Sequence, residues 1–157
     1  MIQEKIHKQI CSNLNQIEDW FKTKRQGLFV PVYSSYDIRD SGVKVTPVDA
    51  NIFPAGFNNI CEVDQENAPE LLKFYLNNNY PNAFESPIAL LTEEHSNNAY
   101  YWENVYSLLK IIEGAGISCE VCMPLQMDDP IEVTSINGHK IKVFGANREG
   151  GEVVVNG

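Results

Sequence analysis

The sequence predicts an α/β protein, with a mostly parallel sheet flanked by helices and a β-hairpin at the C-terminal end. Three observations predict it. Short apolar runs alternate with amphipathic segments between residues 28 and 123, with tight connections between them. The amphipathic segments repeat their apolar residues at spacings of three and four. Beyond residue 130 the period falls to two around Asn137-Gly138, a pair that favours a hairpin turn.

The elements follow in chain order. Ile2, Ile6, Ile10, Leu14, Ile17 and Phe21 form one stripe, predicting a single helix over 2–22 that stops near Gly27 after a run of cations. Leu28 to Tyr33 is an apolar run, expected to be a strand with Pro31 near an edge. Residues 34–59 are polar and rich in turn formers, with Val43, Val45 and Val48 suggesting a short strand. Glu66 to Asn79 is expected to be a helix with Pro69 in its first turn and Leu71, Leu72, Tyr75 and Leu76 buried. Pro87 to Leu91 predicts a buried strand. Asn98 to Glu113 predicts a helix with Tyr101, Val105, Leu108, Leu109 and Ile112 inward, ended by Gly114-Ala-Gly116, and Ile117 to Met123 a further strand. The expected organisation is an N-terminal amphipathic helix over 1–27, an α/β core over 28–125 and a hairpin region over 126–157. Glu152 to Gly157 begins another strand-plus-Asn-Gly pattern without a returning strand, which suggests that the chain is the front of a longer protein.

Composition limits the function. A net charge of −9 and 21% charged residues describe an acidic globular chain, which argues against nucleic-acid binding because phosphate contacts need a basic surface. No apolar run approaches a membrane span and the N-terminus is no signal peptide, so a cytoplasmic location is expected. Cys119-Glu-Val-Cys122 is a C-x-x-C, but it falls in a predicted strand, where residues three apart point to opposite faces. Together with Cys11 and Cys61 these cysteines are read as structural. Neither a zinc ribbon nor a phosphate loop of the G-x-x-x-x-G-K-[ST] kind is present, and Gly145 to Gly151 is expected to be a surface hairpin loop.

The candidate ligand contacts lie in two polar clusters. The segment 34–59 holds Asp37, Arg39, Lys44, Asp49, Asn51, Asn58 and Asn59, mixing cations, acids and planar amides. A zwitterionic, amino-acid-like ligand needs that mixture, although an ordinary polar loop would also contain it. Thr92-Glu-Glu-His-Ser-Asn-Asn98 follows the strand ending at Leu91 and brings Glu93, Glu94 and His95 to the carboxyl rim of the sheet, where such folds bind ligands. These three residues suit a metal, an ammonium group or the cap of the next helix. If residues 28–33 are a neighbouring strand, the two clusters converge.

The block from Tyr33 to Asn59 resembles the N-terminal signature of the proteobacterial type of glutamate–cysteine ligase, and Leu90 to Tyr106 resembles a second block of that family. The resemblance runs from about residue 30 to 145. It implies the N-terminal part of a much longer ATP-grasp-type ligase, whose nucleotide and magnesium site lies mostly in later sequence. The implied reaction is the first step of glutathione synthesis. ATP phosphorylates the side-chain carboxylate of glutamate, and the amine of cysteine displaces the phosphate. Glutamate and cysteine would be the substrates, ATP and Mg²⁺ the co-substrate and cofactor of the complete enzyme, and a missing C-terminal ligase portion a possible partner. Arg39 or Lys44 would then take a carboxylate or phosphate and Asp37 or Asp49 an amino group. Asn51, Asn58 and Asn59 would orient the ligand, with Glu93 and His95 adding contacts from the rim. A stand-alone amino-acid-binding module and an inactive remnant of a truncated ligase gene are the alternatives.

Overall fold

A computed structural model describes residues 2–51, 55–94 and 97–156 of the chain. Two compact units divide at Pro54/Ala55, and each is described by itself.

The first unit holds α1 (Ile2–Ser12), α2 (Leu14–Lys24) and an antiparallel ribbon of β1 (Ser35–Asp40) and β2 (Val45–Asn51). The expected single helix is broken at Asn13. Its backbone leaves the helical region (φ −125°, ψ 20°), and its side-chain amide donates to the Gln9 carbonyl at 2.8 Å. That local bond competes with helix continuation, which is why Asn is a poor interior residue. The expected strand over 28–33 is also absent; these residues are irregular and the first strand begins at Ser35. Pro31 has no N–H for a ladder, and a lone apolar run without a paired neighbour gains nothing from extending. Val43 lies in the turn between β1 and β2, not in a strand, and is 87% exposed.

The second unit holds α3 (Glu62–Asn79), β3 (Ile88–Leu91), α4 (Ala99–Gly114), β4 (Cys119–Met123), β5 (Ile131–Thr134), β6 (Lys140–Glu149) and β7 (Glu152–Asn156). Its sheet has the order β3-β4-β6-β5, with β7 also paired to β6. β3, β4 and β6 are mutually parallel, whereas β5 and β7 are antiparallel to β6. This is the expected mixed α/β class. α4 is the crossover of the parallel β3-α4-β4 unit, and the β5–β6 hairpin turns at Asn137-Gly138 as its sequence predicts. Glu152 to Asn156 is a strand, as expected, and Gly157 of the Asn-Gly turn lies outside the described residues. This strand is the returning arm of a second hairpin, in register from Glu149↔Glu152 to Gly145↔Asn156 across the pair Gly150-Gly151. Most of the expected glycine loop over 145–151 is therefore strand. Gly145 is required there, since a Cβ would lie 2.7 Å from the Leu125 carbonyl oxygen.

α3 begins four residues earlier than expected, so Pro69 sits inside it, packed beside Gly114 at the end of α4. Leu72, Tyr75 and Leu76 face inward as predicted, but Leu71 is 68% exposed. Two apolar clusters form the core. One joins Trp102 and Val105 of α4 to Val121, Met123, Ile141 and Val143 of the sheet. The other joins Leu76 to Ile112, Ala115 and Ile117.

Candidate functional site

The second unit contains a cavity of about 680 Å³ whose lining mixes polar side chains with apolar surface. α4 builds one wall. Its sequence is apolar on two sides but not on the third: Trp102, Val105 and Ile112 enter the core, while Tyr100, Glu103, Tyr106, Ser107 and Lys110 line the cavity. Those five positions are three and four residues apart, which stacks them along one face.

Glu103 is the exceptional member, because it is only 6% exposed. A carboxylate so enclosed needs strong partners, and the hairpin loop between β5 and β6 supplies them. His139 Nδ1 lies 3.2 Å from each carboxylate oxygen of Glu103. The loop is folded tightly for this purpose. The Ser135 N–H donates to the His139 carbonyl, the Gly138 N–H to the Ser135 carbonyl, and the His139 N–H to Ser135 Oγ. Burial pushes the Glu103 carboxyl up, but hydrogen bonds from Ser135, Asn137 and His139, with the imidazole charge, more than offset it. The carboxyl is held below its ordinary range. The imidazole also stacks on the Tyr106 ring at 3.9 Å and 9°. One edge and one face of His139 are thus fixed by α4.

The opposite wall comes from the 3₁₀ turn Phe57–Asn59, which follows Gly56 in the left-handed region (φ 79°). The turn is tied to α4, since the Phe57 N–H donates to Asn104 Oδ1 at 2.8 Å. This places Asn58 and Asn59, two of the residues singled out by sequence, in the cavity lining with Gln65.

The other members of that polar segment form the ribbon of the first unit. Its register is Ser35↔Asn51, Asp37↔Asp49, Ile38↔Pro47, Arg39↔Thr46 and Asp40↔Val45, with a one-residue slip after Asp37. That bulge decides the arrangement. In a regular ladder continuing from Ile38↔Pro47, Asp37 would face Val48 and Asp49 would fall on the other face, opposite Tyr36. With the slip, Asp37 and Asp49 are directly opposed on the face that also carries Arg39. Asn51 is placed by register opposite Ser35. Lys44 is not on the ladder. Its backbone closes the turn, exchanging hydrogen bonds with the Ser41 backbone and hydroxyl, while Asp40 Oδ1 accepts from the Gly42 N–H at 2.7 Å.

The loop after β3 does sit at the carboxyl end of the parallel strands, but it does not cap α4 through its acids. Asn98 is the cap, its side chain accepting from the Tyr100 N–H. Glu93 and Glu94 are exposed and outside the cavity lining. The Glu93 N–H donates to the Tyr101 hydroxyl at 2.8 Å. His95 lies outside the described residues. Convergence of the two clusters was expected from two neighbouring strands, and residues 28–33 do not supply the first. The cysteines of β4 are free thiols. Cys119 packs beside the second apolar cluster and burial pushes its thiol up to about 11, while Cys122 is fully buried and also raised by burial. Among the described residues no three His, Cys, Asp or Glu side chains converge as a metal site requires.

Glu103 and His139 were missed as site residues by sequence reading. The available signal was a charged residue and an amide, Glu103-Asn104, between Trp102 and Val105 in a helix otherwise apolar at that level.

Comparison with known proteins bears on the whole chain. No curated protein sequence matches it. A crystal structure from Methylobacillus flagellatus KT, of a protein assigned as a gamma-glutamylcysteine synthetase, superposes with a TM-score of 0.86 at 27% identity. The match covers 97% of this chain and 36% of that one, so the chain spans little more than a third of the Methylobacillus protein. Residues 7–157 match the GshA family of glutamate-cysteine ligases. With nearly all of its length matched, the chain belongs to the glutamate–cysteine ligase family.

Proposed function

We propose that the chain supplies amino-acid-binding residues to an ATP-dependent glutamate–cysteine ligase, the enzyme of the first step of glutathione synthesis. The observation that carries this reading is the family match over residues 7–157. The chemistry is acyl activation followed by amine attack. The glutamate side-chain carboxylate takes a phosphoryl group from ATP, then the cysteine amine forms the amide and releases phosphate. What a protein must add is orientation of two small zwitterions and neutralisation of their charges. Two polar surfaces of the chain suit that task. The ribbon offers Arg39 for a carboxylate and the opposed Asp37 and Asp49 for an ammonium, and the cavity offers the amides of Asn58 and Asn59. Lys44, Asn51, Glu93, Glu94 and His95 remain candidate contacts in the complete enzyme. ATP and Mg²⁺ are proposed as its co-substrate and cofactor, held in an ATP-grasp-like manner beyond these residues, and its location as cytoplasmic. No helix among the described residues is long and apolar enough to cross a membrane.

The test is γ-glutamylcysteine formation, followed by mass spectrometry, with ATP, Mg²⁺, glutamate and cysteine. Purified chain is assayed alone and with the remaining portion of the Methylobacillus protein added separately. Product in either case, lost on Arg39→Ala, supports the reading. If soluble, folded chain gives no product in both, the ligase reading fails and a binding module or an inactive remnant takes its place.

A further inference from the structure

The ligase reading needs a receptor for an amino-acid carboxylate, and the cavity in the second unit contains an arrangement suited to one. We infer that His139 is that receptor, presenting its Nε2 edge to a carboxylate held in the cavity, with Glu103 as its positioning residue. The identity of the ligand class rests on the ligase reading. The receptor itself rests on geometry.

Three observations support it. First, Nδ1 of His139 is committed to Glu103, at 3.2 Å from both carboxylate oxygens. An imidazole fixed at Nδ1 has only Nε2 left for a ligand. Among the described residues no side chain bonds to that nitrogen, and His139 is part of the cavity lining. Second, two neighbours hold the ring in place. A buried carboxylate lies at its edge, and the Tyr106 ring lies parallel to its face at 3.9 Å. Third, the same cavity carries the amides of Asn58, Asn59 and Gln65, which can complete the coordination of a carboxylate. The Gln65 amide already donates to the Ile60 carbonyl at 2.8 Å, which leaves the asparagines as the better candidates.

The lysines around the ring are engaged with carboxylates of their own. Lys110, on α4, is engaged with Glu113 at 2.7 Å and lies over the Tyr106 ring at 5.5 Å. Lys140, next to His139, is engaged with Glu132 at 2.6 Å. The 3₁₀ turn and α3 contribute neutral amides to the lining. A carboxylate entering the cavity therefore meets the Nε2 edge of His139, with Glu103 bonded at the opposite Nδ1 and Lys110 paired to Glu113. The Ser135 and Asn137 bonds to Glu103 hold that carboxylate in place.

The experiment uses the full chain labelled with ¹⁵N-histidine and long-range proton–nitrogen NMR. The probes are L-glutamate, glutarate (two carboxylates, no amine) and cysteamine (an amine, no carboxylate). Glutamate and glutarate are expected to shift the His139 Nε2 resonance saturably while Nδ1 keeps its Glu103-bonded signature, and cysteamine is expected to leave both unmoved. His139→Gln should weaken glutamate binding by about tenfold or more, the loss of one charge-assisted hydrogen bond. Glu103→Asp should retain binding better than Glu103→Gln, which a merely structural role for the pair does not require. The inference is overturned if neither carboxylate probe moves Nε2, or if cysteamine moves it as far as glutarate does. The wild-type titration needs no variant, so misfolding cannot blur the result. Product in the ligase assay without a His139 response removes the receptor and leaves the ligase reading. A His139 response to glutarate without product in either assay does the reverse.

Discussion

The two units of the chain are nearly opposite in what they bury and what they display. No described residue of the first unit is buried, although the unit carries the densest mixture of charges and amides in the sequence. Trp20 is 56% exposed, and Ile38, Val45 and Val48 on the ribbon are all exposed. The second unit holds every buried residue of the described chain, from Leu76 to Ala146, and within it the Glu103–His139 pair, held between a helix and a hairpin loop. Density of chemical groups along a sequence is thus a poor guide to where they are rigidly held. The ribbon aligns its charges by register alone, whereas the cavity fixes His139 by a hydrogen-bonded edge and a stacked face. Preorganisation comes from the second kind of support.

The sharpest way to break this comparison is to cut into each unit equally. The chain has two tryptophans, Trp20 in the first unit and Trp102 in the second. Trp102→Ala should cost about 3–5 kcal/mol in urea denaturation, the usual loss for a buried aromatic, whereas Trp20→Ala should cost less than about 1 kcal/mol. The same residues are reporters. In Trp20→Phe the remaining indole should emit in the blue and lose that emission in one transition, and in Trp102→Phe it should emit in the red throughout. Equal costs would show that the first unit has a core of its own.

Glu103→Gln is the next largest change, with an expected loss of about 1–3 kcal/mol because His139, Ser135 and Asn137 lose a charged partner. Its pH dependence has a definite sign. The folded carboxyl titrates below its ordinary value of 4.5, so its contribution is complete above that value and disappears as pH falls through the lower folded one. Wild type and variant should therefore differ in Tm near neutral pH and converge in acid. A constant gap between the two melting curves would remove Glu103 as the titrating group.

Gly42→Ala probes the ribbon at its turn, where φ is 81° and a side chain would meet open space but an unfavourable backbone. The expected cost is about 1 kcal/mol, confined to amide-exchange protection of residues 35–51. Spread of that loss into β3 or β4 would show that the ribbon and the sheet open together.

The mildest test changes no residue. Cys11 and Cys61 are exposed, Cys119 is half-buried and Cys122 is fully buried. With its thiol at about 11 against the ordinary 9.0, Cys119 at pH 8 carries about a hundredfold less thiolate than an unperturbed cysteine. A thiol reagent should therefore label two cysteines quickly and the two of β4 only on unfolding. Four equal rates would contradict the burial of β4.

Legibility from sequence divides along the same line. α3, α4, β4 and the Asn137-Gly138 hairpin are recognisable because their apolar periods coincide with burial, whereas β3, expected to be buried, is a strand with no buried residue and with Leu91 56% exposed. Failures cluster where no core arbitrates. The 2–22 stripe looks continuous, yet Asn13 breaks it through a local side-chain bond. Leu28 to Tyr33 has strand-like residues without a strand to pair with. Within the polar segment, Asn58 and Asn59 reach the cavity, and the partnership of Asp37 with Asp49 depends on a bulge that no local pattern announces. The Glu103–His139 pair is invisible for a different reason. Its members are 36 residues apart, one on a helix within the Leu90–Tyr106 block and one in a hairpin loop, and no sequence spacing joins the two.

α4 serves the apolar core with one face and the cavity with another, and this has a consequence for how the sequence can change over time. Each residue of an α-helix is turned by about 100° from the one before it. A single inserted or deleted residue within Ala99–Gly114 would therefore swing Glu103 toward the sheet or Val105 toward the cavity, damaging packing and ligand contacts at one stroke. Substitution can be absorbed position by position, but a change of length cannot. Relatives of this protein should show gaps freely in the turns of the first unit and at Gly150-Gly151, and an uninterrupted count of residues along this helix.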